Sequence, residues 1–127
     1  MYAELRKAIR DHLAAEITEV DERIFNGFTA PADTPKPYLV IEMSGEVPST
    51  SNSRRGWARF DVLSIGNEGD YLSLDPIADA VVVALDQQSV VLETGTMRPE
   101  HKRDSRIDMW IAEVNGTAIR DQFWIPA

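Results

Sequence analysis

The chain has 127 residues, 13 Lys and Arg against 21 Asp and Glu, a net charge of −8, 43% apolar residues and no cysteine. A single domain of this size buries about two thirds of the surface its unfolded chain exposes, so its core needs neither disulfides nor a structural metal. The absence of cysteine excludes disulfide frameworks, thiolate zinc sites, iron–sulfur clusters and cysteine nucleophiles, and fits maturation in a reducing cytoplasm. The acidic balance speaks against a general nucleic-acid binder, because affinity for a polyanion comes from Lys and Arg displacing counterions.

The first residues mix charges with apolar side chains and lack the unbroken apolar core of a signal peptide, and no run is long enough to cross a bilayer, so neither secretion nor membrane insertion is expected. Tyr2, Leu5, Ile9 and Leu13 recur at helical spacing opposite Glu4, Arg6, Lys7, Arg10 and Asp11, which predicts an amphipathic helix. The acidic stretch Glu16 to Glu22 ends it, and Arg23-Ile24-Phe25 reads as a short extended piece stopped by Asn26-Gly27. Pro31, Pro35 and Pro37 then hold a loop extended until Tyr38 to Met43, a mostly buried strand that Ser44-Gly45 is expected to end.

Val47 to Gly56 has four Ser or Thr residues, Asn52 and Arg54-Arg55 but no apolar face, and is expected to form a mobile polar tip. Trp57 to Ile65 alternates as a strand, with Ala58, Phe60 and Val62 on one side and Trp57, Arg59 and Asp61 on the other. Asp75-Pro76 is the expected start of a second helix carrying Ile77, Ala78, Val81, Ala84 and Leu85 on one stripe, with Tyr71 or Ser73 as an earlier alternative. Val90 to Leu92, Asp104 to Val114 and Thr117 to Ile125 read as the last three strands, with a polar connection through Pro99 and Lys102. Asn115-Gly116 predicts a type I′ hairpin turn between the final two. The fold class is α+β, a mainly antiparallel or mixed sheet of about five to six strands with two helices packed on one face, in one domain.

Catalytic patterns are sparse. Glu100, His101 and Asp104 place an imidazole among carboxylates in a charged loop, the pattern of an acid–base pair or ligand set, but equally that of a solvated loop. His12 falls beside Leu13 and reads as bordering the packed helical face. There is no Gly-x-Ser-x-Gly turn and no phosphate-cradling glycine pattern, and no cofactor or metal is expected. The Asn115-Gly116-Thr117 sequon reads as a turn. The unusual residues are Trp57 and Trp110, which alternate with Arg59, Asp61, Arg106 and Asp108 outside the apolar stripe. Aromatic residues and Arg are enriched at the centres of protein contacts. The candidate protein interface is therefore Trp57, Arg59 and Trp110, with Arg54 and Arg55 on the polar tip as a further candidate contact with a neighbouring protein. The plainer alternative is that Arg59–Asp61 and Arg106–Asp108 are cross-strand charge pairs shielded by the indoles.

The order of the features carries more than any one of them. An amphipathic first helix, Arg23-Ile24-Phe25-Asn26-Gly27, Pro37-Tyr38-Leu39-Val40-Ile41, Ser44-Gly45, Phe60-Asp61-Val62, then Ile77-Ala78-Asp79-Ala80-Val81 and Ala84-Leu85 resembles, over nearly the whole chain, the tail terminator or tail completion family of long-tailed bacteriophages and prophages. The polar tip from Val47 to Gly56 departs from the family's usual look. The resemblance implies a non-enzymatic virion protein, assembled in the host cytoplasm, that forms a ring, typically a hexamer, on the head-proximal end of the tail tube. Its implied partners are further copies of itself, the tail tube protein and the head connector protein, with DNA only passing through the lumen and no membrane. A different connector-ring protein of the head–tail joint, or a small cytoplasmic enzyme or ligand-binding domain using Glu100, His101 and Asp104, is the alternative.

Overall fold

The computed structural model describes residues 2–27, 30–31, 33–46, 58–93, 95–102 and 106–125. Helix α1 spans Tyr2–Glu16. Leu5, Ile9 and Leu13 are buried as the periodicity predicts, and the apolar stripe runs on through Ile17 and Val20 inside the acidic stretch. The Ile17 N–H donates to the Leu13 carbonyl at 2.8 Å, carrying the helical bonding one residue past Glu16 before the chain turns. Asp21 and Glu22, at φ of 48° and 63°, then reverse the chain into strand β1, Ile24–Asn26. The proline-rich segment beyond β1 has carbonyls to satisfy, and Arg23 satisfies them: its Nε donates to Pro35 O at 3.0 Å and its Nη2 to Pro37 O at 2.9 Å.

Strand β2, Tyr38–Glu46, pairs parallel with β1 and antiparallel with β3, Ala58–Asn67. Ser44-Gly45 does not end β2; the ladder shifts register between Met43 and Gly45 and resumes, as a bulge does. The expected tip, with Arg54, Arg55 and Trp57, lies outside the described residues. Helix α2, Tyr71–Leu85, starts earlier than Asp75-Pro76. Asp70 is its N-cap, accepting the Ser73 N–H at 3.3 Å, and Gly69 at φ 72° turns the chain out of β3 to put it there. Pro76 sits inside the helix, where its missing N–H forgoes the bond to the Leu72 carbonyl on an exposed first turn.

After α2 the strands are more numerous and shorter than their sequence pattern suggests. Strand β4, Val90–Leu92, leaves the main sheet and pairs with β5, Gly95–Met97, in a separate hairpin fastened to α1 by the Glu93 N–H, which donates to Glu4 Oε1 at 2.8 Å. Part of the expected polar connection is strand β6, Glu100–His101. Strand β7 is limited to Ile107–Ile111, because Ala112–Val114 form a 3-10 turn, and β8 runs Gly116–Ile125. The hairpin is therefore present, but its connection has four residues instead of two, with Asn115 alone in the left-handed region at φ 49°. Gly116 serves a different need: it opposes both Ile111 and Asn67, and a Cβ there would overlap the Gly66 carbonyl oxygen.

Among the described residues the main sheet has six strands in the order β1-β2-β3-β8-β6, with β7 also on β8, and only the β1–β2 pair is parallel. Both helices cover one face, against Leu39, Ile41, Phe60, Val62 and Phe123, with the Phe60 and Phe123 rings stacked at 5.2 Å. His12 belongs to this layer, its Nε2 2.8 Å from the Ala84 carbonyl at the end of α2. The far face is not simply polar: Tyr38, Val40, Leu63, Ile65, Ile111 and Ala118 form a second apolar layer on it.

Candidate functional site

Strand alternation assigns each candidate residue to a face. Arg59 is on the far face, opposite Trp124 in the ladder, and Asp61 lies beside it on the same face between Glu42 and Gln122. With the Gln122 amide oriented so that its oxygen faces the guanidinium, Arg59 Nε and Nη1 donate to it at 3.2 and 3.3 Å. The Arg59 guanidinium also lies 6.0 Å from the centre of the Trp124 ring, and Lys102 Nζ lies 4.9 Å from the same ring. Asp61 is fully buried and accepts from Arg120 Nη1 at 3.0 Å. Cross-strand charge pairing is thus present, but Asp61 takes Arg120 and not Arg59, because Arg120 approaches diagonally from β8 while Arg59 is held by Gln122 and Trp124. Glu42 Oε2, Asp61 Oδ1 and Arg120 Nε are all buried there without a hydrogen-bond partner.

Trp110 is placed elsewhere. It opposes Thr117, so it and Asp108 point to the helix-covered side of the sheet, beyond the start of α2, where the indole stays 52% exposed. The structure therefore does not bring Arg59 and Trp110 together. Around Trp110, Tyr71, Asp108, Met109, Glu68 and Thr117 line a shallow cavity of about 270 Å³. The Thr117 hydroxyl accepts the Gly69 N–H at 3.0 Å at its floor, and this bond ties the β3–α2 turn to β8.

The histidine of the expected loop is also repositioned. Glu100 and His101 are neighbours on β6 and point to opposite faces, Glu100 with Trp124 and His101 with Phe123, while Asp104 lies outside the described residues. The partner of His101 is Asp121: His101 Nε2 donates to Asp121 Oδ1 at 2.9 Å. Asp121 lies on β8 between the residues paired to β6 and those paired to β7, and it is fully buried on the helix side between Ile119 and Phe123. Arg106 Nε stands 3.8 Å from the same oxygen, and Arg106 Nη1 reaches Asp79 on α2 at 2.9 Å. Asp86, just past α2, accepts the His101 backbone N–H at 3.0 Å. Burial raises the Asp121 carboxyl above its ordinary 3.8, against the opposing pull of the His101 hydrogen bond and the Arg106 and His101 charges.

This constellation ties β6, and Arg106 just before β7, to α2 and the residue that follows it. It holds a carboxylate and an imidazole in the relation of an oriented base, yet no hydroxyl is recorded in bonding contact with the imidazole among the described residues. Asp121 and Arg120 escaped the sequence reading, although a signal was present: Asp121 occupies the same strand phase as Ile119, Phe123 and Ile125, and a carboxylate in an apolar phase demands a buried partner. Among the described residues no group of three or more His, Asp or Glu is arranged to hold a metal, and no helix is long and apolar enough to cross a membrane.

No protein-family model matches the chain, and no curated protein matches it. Seven solved chains do match in structure. One of them, from a structure described as "Virion of native gene transfer agent (GTA) particle", superposes with a TM-score of 0.70 at 16% identity, covering 98% of this chain and 94% of that one. At that identity the likeness establishes the shared fold: an α+β domain, matched from end to end, whose solved counterpart is a component of a virion.

Proposed function

We propose that this chain is a structural subunit of a phage-type virion, and that within the virion it acts as a tail terminator, closing as a ring on the head-proximal end of the tail tube and joining it to the head connector. The observation that carries the reading is the end-to-end likeness to a chain of the gene transfer agent virion, and the order of sequence features independently resembles the terminator family. Size supports a ring: a chain of 127 residues has a radius of gyration of roughly 14 Å, too small to surround a DNA duplex alone, so a conduit needs several copies in a heterologous, closed contact. The net charge of −8 suits a wall past which phosphates slide without sticking. In this reading Arg54, Arg55, Trp57 and Arg59 serve the subunit or connector interface, and Trp110 presents the sheet edge to another virion protein. The role is geometric, with no reaction to catalyse and no cofactor.

The test is electron microscopy of tail tubes polymerised with and without the purified protein. A ring at one end only and arrested growth are the expected result. Tubes of unaltered length with no added density overturn the terminator role. A ring found on isolated head connectors and never on tubes reassigns it to another component of the joint.

A further inference from the structure

Edge strands are normally guarded by lysine, proline, a bulge or a covering segment, because their free N–H and C=O groups accept any passing strand. Strand β7 has none of the sequence guards: it reads Ile-Asp-Met-Trp-Ile and pairs with β8 without a register break from Ile107 to Ile111, and no strand pairs with its other edge among the described residues. It also exposes apolar surface on both faces, Ile107 at 55% on one and Trp110 at 52% on the other. Tyr71 and Leu72, from the first turn of α2, are exposed as well, and Tyr71 shares the cavity of about 270 Å³ with Trp110. Exposed carboxylates of Glu68, Asp75 and Asp108 belong to the same end of the domain, and Arg106, the cation beside β7 in sequence, is already committed to Asp79.

We propose that β7 is a docking strand that takes an extended cationic segment of a partner protein by strand addition. Main-chain hydrogen bonds to the free edge supply the affinity, the Lys or Arg side chains on one face of the segment meet Asp108 and Glu68 around the cavity beside Trp110, and the alternate aliphatic side chains lie on the other face against Ile107. Charge argues against a second copy as the occupant. The chain carries −8, and β1, at the opposite end of the main sheet, is only three residues long and is approached through Asp21 and Glu22, so apposing it to β7 puts like charges together. The inference rests on the proposed virion role only for the source of the segment, a tube or connector protein; the docking chemistry stands on the edge itself.

The probe is a synthetic peptide of alternating Lys and Val, compared with an alternating Glu and Val peptide and with a Lys–Val peptide N-methylated at alternate residues. Amide hydrogen exchange over the full-length protein is the readout. The Lys–Val peptide is expected to slow exchange at residues 107–111 by about tenfold or more, while the other two do not. The variant Ile107→Lys with Trp110→Lys changes only exposed side chains and should abolish the protection with thermal stability unchanged. Equal effects from the Glu–Val or N-methylated peptide, or protection at another surface, overturn the proposal. So does self-association of the peptide-free protein in sedimentation that the double variant removes, which assigns the edge to a second copy. Failure here with tube capping intact removes this inference alone, whereas failure of capping with β7 protection intact removes the terminator role.

Discussion

The Asp121 network makes an uneven prediction: deleting the charge should be cheaper than deleting its support. Asp121 Oδ2 is already buried without a partner, so an amide in its place loses no existing bond there, and Asp121→Asn keeps an oxygen for His101 Nε2 while removing a desolvated charge. The change should cost under about 1 kcal/mol. His101→Ala leaves the carboxylate buried with only a guanidinium 3.8 Å away and should cost about 3 kcal/mol. At about 2.1 cal/mol/K of unfolding entropy per residue, that is about 11 °C in Tm for 127 residues, against less than about 4 °C for the amide. The pH dependence has a definite sign. The folded carboxyl is raised above its ordinary 3.8, so the folded state binds the proton more tightly than the unfolded one. The stability it contributes is complete below the unfolded pKa and is lost as pH rises through the folded pKa. Urea denaturation across pH 3.5 to 7 should therefore show wild type gaining on Asp121→Asn as pH falls, and the deficit of His101→Ala shrinking. An amide variant as unstable as His101→Ala, or a wild-type advantage that shrinks on acidification, refutes the reasoning.

Other perturbations follow from the same geometry. Gly116→Ala drives a Cβ into the Gly66 carbonyl of the paired strand and should cost about 3 kcal/mol, more than Gly66→Ala, whose Cβ meets only the Leu74 side chain at 2.9 Å; thermal melts compare the two. Asp70→Ala removes the N-cap of α2 and should cost about 1 kcal/mol, with Asp70→Asn restoring most of it in urea titrations. Arg120→Met leaves Asp61 buried without its guanidinium and should cost about 3 to 5 kcal/mol, and adding Asp61→Asn should recover more than half, a coupling read from the double-mutant cycle. His12→Ala should cost about 1 kcal/mol through the lost bond to the Ala84 carbonyl, in equilibrium unfolding.

What could be read from the sequence was whatever depends on near neighbours. The stripe Leu5, Ile9, Leu13 and the alternation Arg59, Phe60, Asp61, Val62 are local periodicities, and they gave α1, β3 and the class of the fold because burying one face is a demand that each segment meets with its own spacing. Tertiary structure decided the partnerships. His101 is 20 residues from Asp121 and stands beside Glu100, yet strand alternation turns Glu100 away and the antiparallel pairing of β6 with β8 brings Asp121 to the imidazole. Arg59 and Trp110 look alike as surface aromatic and cationic residues in the linear chain, and the pleat sends them to opposite faces. Gly116 read as a turn glycine, whereas the close approach of Gly66, 50 residues earlier, is what requires it. Helical and strand periods are set by bonds within or beside a segment, but which charge meets which depends on chain closure over distances that no local pattern encodes.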